Sequence, residues 1–442
     1  MKGKIVLLVA GLFAGSVQAA DLLQVYRDAI GYDAPFAAAR FAAEAGREKL
    51  PQGRAGLLPS IGLSANSTWN QQDMSTRSTT PGNYSFRYNS TLYAVQLSQP
   101  LFRWQNWVLY DQAKLAVAQA EAALSGAGQD LILRSAQAYF DVLLAQDSLA
   151  FAQAQKKAIA EQLGAAKRNF EVGTATIVDS HEAQARFDLA TAQEIAALND
   201  LDVKREALRL LTGKAPETLK PLRAGVQIGR PVPDDMQKWV ESAEQGNVGV
   251  QMQSLAAEIA ARDVSRARGA RLPTVDLVAT YGRSSASNGN NPLLPYGNDT
   301  TASTIGVQVS MPLFQGGLIS SKDREATALK EKSRQDLDNS RRTAAQSARQ
   351  AYLGVTSGLA QVRALEAGLT SSISALDSNK LGYEVGVRIN IDVLNAQQQV
   401  FSTRRDLARA RYDTLMAQLK LKAAAGNLTE EDLQQVNGLL EP

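Results

Sequence analysis

The sequence predicts a mixed α and β membrane protein made of a duplicated strand–strand–helix–helix unit, with four strands per chain. Three observations predict it. Landmarks recur in the same order at an offset close to 213 residues. Four segments of about ten residues alternate apolar and polar side chains, the length a tilted strand needs to cross the hydrocarbon layer. No proline interrupts the chain between Pro100 and Pro216 or between Pro312 and Pro442, which permits very long helices.

Residues 1–20 read as a secretory signal. Lys2 and Lys4 precede an apolar run over residues 5–13, and Val17-Gln18-Ala19 offers small residues to a peptidase, with cleavage expected near Ala19. The run is too short to span a membrane. The formal charge of +3 falls to +1 without those two lysines, and no dense Lys/Arg cluster occurs, so no nucleic-acid partner is expected. Cysteine is absent, so an exported chain must rely on buried area or oligomerisation instead of disulfides. Beyond residue 20 no stretch approaches the ~20 apolar residues of a helical span. Any membrane crossing must therefore be made by strands, which also satisfy every backbone hydrogen bond.

The duplication is read from matched landmarks. Leu58-Pro59-Ser60 recurs as Leu272-Pro273-Thr274, and Gln99-Pro100-Leu101-Phe102 as Met311-Pro312-Leu313-Phe314. Glu171-Val172-Gly173 with Asp179 recurs as Glu384-Val385-Gly386 with Asp392, and Gly213 matches Gly426. The period is too long for a solenoid of small units and fits one duplicated supersecondary block. The first block is expected over 21–213: a helical start 21–56, strands near 59–69 and 86–99, a long helix 104–171 and a return helix 177–212. A linker over 214–233, broken by Pro216, Pro221, Pro231 and Pro233, joins it to the second. That block is expected over 234–426: a helical start 236–270, strands near 273–283 and 301–311, a long helix 317–385 and a return helix 389–425. Residues 427–442 form a C-terminal tail.

The strand segments carry the membrane argument. Ile61, Leu63, Ala65 and Trp69 alternate with Gly62, Ser64, Asn66 and Thr68; Val275, Leu277, Ala279 and Tyr281 alternate with Thr274, Asp276, Val278 and Thr280. Tyr93, Val95 and Leu97, and Ile305, Val307 and Val309, repeat the pattern. The second face is largely Ser, Thr, Gly and Asn, as suits a wet lumen. Trp69, Tyr84, Phe86 and Tyr88 lie near one end, and Phe102, Trp104, Trp107 and Phe314 near the other, as two interfacial girdles require. Segments 70–83 and 284–303 read as polar external loops. A soluble sheet with one buried face would alternate in the same way. Four strands cannot close a membrane barrel, and open edges are not tolerated in lipid, so several chains must contribute. Two copies would give eight strands and three would give twelve; the count forces an oligomer without choosing between them.

The helices follow coiled-coil spacing. At ~1.5 Å per residue a helix over 104–171 would be about 100 Å long. Ile132, Ala136, Tyr139 and Leu143 step 4-3-4; Ala348, Tyr352, Val355, Leu359 and Val362 step 4-3-4-3, and the register resumes at Leu369, Ile373 and Leu376. The return helices carry Leu198, Leu201, Leu208 and Leu211, and Phe401, Ala408, Tyr412, Leu415 and Leu419. Abundant alanine on other faces lets each helix pack on both sides, as a curved wall of helices requires.

No pattern of an enzyme, metal or cofactor site emerges. His181 is the sole histidine, and His181-Glu182-Ala183-Gln184-Ala185 lacks the second histidine of a zinc-protease helix. Leu211-Thr212-Gly213-Lys214 reads as a helix terminus and not as a phosphate loop.

These residues together resemble the TolC family of outer-membrane efflux and type I secretion channels. The resemblance covers essentially the whole mature chain. It is carried by Leu-Pro before the strands, by Gln-Pro-Leu-Phe and Met-Pro-Leu-Phe-Gln-Gly-Gly after them, and by the paired turns Arg168-Asn169-Phe170-Glu171-Val172-Gly173 and Gly382-Tyr383-Glu384-Val385-Gly386-Val387-Arg388. It implies a homotrimer with a twelve-stranded barrel in the outer membrane of a Gram-negative bacterium and a long α-helical coiled-coil tunnel in the periplasm. The duct would be passive, serving exported small molecules or proteins. It would meet an inner-membrane transporter of ABC, RND or MFS type through a periplasmic adaptor. A periplasmic coiled-coil adaptor is the alternative reading; it should have one helical hairpin flanked by small β domains and no duplication.

The resemblance also implies site roles. Val172, Gly173 and Thr174, with Val385, Gly386 and Val387, form the periplasmic tip turns where an adaptor docks. Tyr383 and Arg388 match the family's gate latch, with Asp179 as the expected acceptor. Asp392 would form a ring of carboxylates favouring cations. Relatives often carry a second Asp one turn on, where this chain has Asn395, so one charged ring and weaker block by multivalent cations are expected. Trp69, Trp104 and Trp107 would sit at the membrane interfaces among the outer-membrane lipids.

Overall fold

The computed structural model describes residues 19–77, 82–174, 176–214, 218–223, 225–291 and 294–442. Apart from Ala19 and Ala20, the expected signal segment lies outside the described residues. In the first half of the chain run α1 (Leu22–Tyr32), α2 (Ala34–Arg47), α3 (Lys49–Ala55), β1 (Ser60–Thr76), β2 (Gly82–Phe102), α4 (Trp104–Glu171) and α5 (Ile177–Thr212). The second half repeats the order with two opening helices in place of three: α6 (Met236–Gly246), α7 (Val248–Gly269), β3 (Thr274–Asn291), β4 (Leu294–Ser310), α8 (Leu318–Glu384) and α9 (Asn390–Ala424), followed by α10 (Glu430–Asn437). The chain forms two compact units, and each draws on both halves. One comprises the stretch up to Arg40, Ser125–Val248 and Arg341–Pro442; the other comprises Phe41–Leu124 and Gly249–Ser340.

The second of these units contains a four-stranded antiparallel sheet in the order β1-β2-β3-β4. The central ladder joins β2 of the first half to β3 of the second, so the halves share one sheet. Directly opposed residues lie on one face, and the register Leu63↔Val95, Val95↔Tyr281, Ala279↔Ile305 and Leu277↔Val307 sets every apolar member of the alternation on the same side. That side is uncovered: Ile61, Leu63, Trp69 and Ile305 are each at least 71% exposed. A soluble sheet would bury it. Among the described residues β1 and β4 each have one unpaired edge.

Two expectations about the strands need correction. The segments 70–83 and 284–303 are for the most part strand and not loop: the strands span 17, 21, 18 and 17 residues. Their outer ends are tied by polar contacts that hydrophobic periodicity does not register. Asn70 Nδ2 donates to Ser90 Oγ at 2.9 Å, Asn288 Nδ2 to Arg87 O at 3.0 Å, and Arg283 pairs with Asp299 at 2.8 Å. Nor do the outer aromatics form one girdle. Tyr84, Phe86 and Tyr88 oppose Met74, Gln72 and Asn70, which puts them on the polar face, while Trp69 opposes Asn89 on the apolar one. The pleat has a period of two, so even-numbered residues of β2 cannot share a face with Tyr93 and Val95.

The first unit is a helical assembly with one large core and several smaller clusters. Leu22, Val25 and Ala29 of α1 meet Leu131, Ile132, Ala136, Tyr139, Phe140 and Leu143 of α4, with Leu201 and Leu208 of α5 and Tyr412, Leu415 and Leu419 of α9. The stripe Ile132, Ala136, Tyr139 and Leu143 is buried in this core, whereas Val355, Leu359 and Val362 of α8 are buried in smaller clusters and Tyr352 is half-buried. Tyr139 donates to Lys220 O at 2.7 Å. The buried Asp33, between α1 and α2, accepts two 2.8 Å bonds from Arg134 and a third from Phe36 N–H, which caps α2. The segment 427–442 is more than a tail: the Thr429–Asp432 capping box starts α10, which buries Leu433 and Val436 in the same core. Farther along α8 and α5 the packing thins. Ile373 is exposed, and α5 leaves Leu189, Ile195, Leu198, Val203 and Leu210 uncovered.

Candidate functional site

Both long helices end in the same backbone device. At the end of α4, Thr174 N donates to Asn169 O and Gly173 N to Phe170 O; at the end of α8, Val387 N donates to Gly382 O and Gly386 N to Tyr383 O. These are the paired bonds of a Schellman cap. Gly173 has φ +76° and Gly386 φ +80°, a conformation side chains resist, and they stand 213 residues apart. Gly213 and Gly426, with φ +71° and +78°, repeat the relation after α5 and α9.

The turns differ in how the next helix starts. Thr176 and Asp179 form a reciprocal capping box at the start of α5. Ile389 precedes α9 and offers no side-chain cap. Apolar side chains crown both turns: Val172, Ile177 and Val178 on one, and Val385, Val387 and Ile389 on the other, all exposed. Isolated exposed valines are ordinary, but two contiguous sets at paired helix ends suit a docking surface.

Polar contacts tie the helices near these turns. Asn169 Nδ2 donates to Tyr383 Oη at 3.2 Å, joining the ends of α4 and α8. Lys156 reaches Glu194 at 2.7 Å between α4 and α5, and holds that carboxyl below the usual range. Arg186 of α5 donates to Asn395 Oδ1 at 2.8 Å and to Gln398 Oε1 at 3.1 Å on α9. Tyr383, Arg388 and Asp179 do not meet within one chain. Arg388 lies 3.6 Å from Asp392, and Asp179 Oδ2 accepts from Thr176 N–H and Oγ1. Asp392 and Asn395 share one face of α9 and, with Asn379, Arg388 and Gln399, line a groove of about 330 Å³.

At the foot of the sheet, Trp104 and Trp107 open α4 half-exposed, and Trp104 Nε1 donates to Ser265 Oγ at 3.3 Å. Beside them Arg103 grips the buried Asp276 of β3 with bonds of 2.8 and 2.7 Å. Sequence reasoning passed over this pair. The signal was present: a carboxylate within an apolar alternation needs a cation. Arg186 left no such trace, since its partners lie 209 and 212 residues away. Among the described residues no group of His, Cys, Asp or Glu could hold a metal ion, and no helix is long and apolar enough to cross a membrane.

A coiled-coil adaptor would have one helical hairpin, whereas this chain has two, α4–α5 and α8–α9, and a sheet shared between them. Comparison with known proteins agrees. Residues 25–214 and 239–427 match the outer membrane efflux protein family, once in each half. The chain is 31% identical to the outer membrane protein TolC of Vibrio cholerae serotype O1 over 98% of this chain and 96% of that one. It is 34% identical to the alkaline protease secretion protein AprF of Pseudomonas aeruginosa over 95% and 87%. Its fold superposes on the CmeC outer membrane channel of Campylobacter jejuni with a TM-score of 0.79 at 17% identity, covering 95% of this chain and 90% of that one. A duplicated sheet-and-hairpin unit with one bare apolar face, matched along its length to these proteins, belongs to the outer membrane efflux protein family, and the chain is a TolC-type outer-membrane exit duct.

Proposed function

We propose that three copies of the chain close a twelve-stranded barrel in the outer membrane and continue it as a helical tunnel through the periplasm. The tunnel serves as the passive exit for small molecules or proteins delivered by an inner-membrane pump of ABC, RND or MFS type through an adaptor. The observation that carries this is a sheet with two free edges and one bare apolar face. Each backbone group left unpaired in hydrocarbon costs several kcal/mol. About ten residues of each edge strand would lie there, so a lone sheet would forfeit tens of kcal/mol. Eight strands enclose a lumen that side chains fill, whereas twelve leave room for water. The uncovered leucines of α5 suit contacts between protomers in the helical wall.

At the tip, the apolar crowns of Val172 and of Val385 and Val387 are the adaptor's docking surface. Tyr383 and Arg388 latch the α8–α9 hairpin. Asp179 Oδ1 carries no bond among the described residues and can accept from Arg388 of a neighbouring protomer. Trp69, Trp104 and Trp107 anchor the wall at the lipid interfaces.

The test is mass and conductance. Protein purified in detergent should have the mass of three chains by light scattering and should form ion-conducting pores in planar bilayers. A monomer that forms none refutes the reading.

A further inference from the structure

Arg186 has an unusual set of neighbours. Its guanidinium donates to two neutral carbonyl oxygens, Asn395 Oδ1 and Gln398 Oε1, and among the described residues one carboxylate stands within ion-pair distance, Glu182 at 3.7 Å. The side chain is 24% exposed, and its Nε is buried without a partner among the described residues. This is a partly buried cation whose best hydrogen bonds go to amides and not to a counter-charge. It stands directly behind Asn395, one turn along α9 from Asp392 and on the same groove-lining face.

We propose that Arg186 sets the charge of the tip constriction. By holding the Asn395 oxygen it places a cation behind that position and leaves Asp392, which stands 3.6 Å from Arg388, as the one acid of this face. A guanidinium prefers a carboxylate to an amide and binds it more strongly. An acid placed at 395 would therefore be paired by Arg186 and withheld from passing ions. The proposal rests on the reading above, in which α9 lines the tip of a trimeric duct. Three such cations around one axis act on an ion in the constriction because partly buried charges are screened less than exposed ones.

Full-length protein in planar bilayers tests this by reversal potential in a potassium chloride gradient, with assembly checked by light scattering. Arg186→Gln should raise the cation-to-anion permeability ratio about threefold. Arg186→Lys, which keeps the charge, should stay nearer the native ratio. Asn395→Asp alone should change the ratio less than about twofold, and Arg186→Gln with Asn395→Asp should exceed the product of the single effects. The proposal is overturned if Asn395→Asp alone matches the double variant, or if Arg186→Gln is silent while Asp392→Ala lowers the ratio. If Asp392→Ala is silent as well, the reading that α9 lines the constriction fails with it.

Discussion

Removing the Tyr383 hydroxyl should loosen the tip by an amount the geometry bounds. Tyr383 accepts one bond from Asn169 at 3.2 Å, a neutral pair contributing about 0.5–1.5 kcal/mol net. Arg388 and Asp392 stand 3.6 Å apart with the arginine more than half exposed, which limits that pair to about 1 kcal/mol or less. On the proposed latch these contacts contribute roughly 0.5–2.5 kcal/mol per protomer, and roughly 1.5–7.5 kcal/mol when three open together. A bias of about 5.5 kcal/mol carries a two-state equilibrium from 1:99 to 99:1. The contacts are sufficient in sum and insufficient singly. Tyr383→Phe or Arg388→Ser should each raise single-channel conductance in planar bilayers slightly, and the two together should raise it strongly. Asn169→Ala should match Tyr383→Phe, and combining these two should add nothing, because both remove one bond. Native conductance in Tyr383→Phe with Arg388→Ser, or additivity between Asn169→Ala and Tyr383→Phe, would refute the reasoning.

Other perturbations separate faces and charges. Ile305→Arg on the apolar face should cost about 2–4 kcal/mol in the bilayer and reduce recovered oligomer, whereas Thr304→Arg on the opposite face should assemble normally and alter conductance. The Arg134 guanidinium holds the Asp33 carboxyl below its usual range, so its stabilisation is present above the unfolded value near ~3.9 and is lost as pH falls through the lower folded value. Thermal melting of Asp33→Asn at pH 7 should show a loss of about 2–3 kcal/mol that shrinks below about pH 4; a constant difference would contradict it. Burial pushes the Asp147 carboxyl up despite the 2.8 Å bond from Tyr412, so its contribution is full below the unfolded value and is lost as pH rises through the folded one. Asp147→Asn still accepts that bond and should melt at or above the native temperature at pH 7; a clear drop there would count against a strained carboxylate.

The duplication, the strand alternation and the coiled-coil stripes were legible from the chain alone because each is periodic, and a period is a local property. Leu63 and Ile305 announce an apolar face by their spacing, and Gly173 and Gly386 announce helix ends by theirs. What is not periodic stayed hidden. The polar strand ends past Trp69 and Arg283 pair through Ser, Asn and charged side chains that look like loop. The face taken by Tyr84 and Phe86 depended on a register that only the ladder could show.

By itself, then, the sequence determined the order of strands and long helices in each half and that one sheet face is apolar. Only the tertiary structure decided which residues from the two halves meet: Arg103 with Asp276, Asn169 with Tyr383, and Arg186 with Asn395. Those pairs lie 173 to 214 residues apart. They arise because the two halves share one sheet and lie side by side, a closeness that no local pattern of side chains encodes.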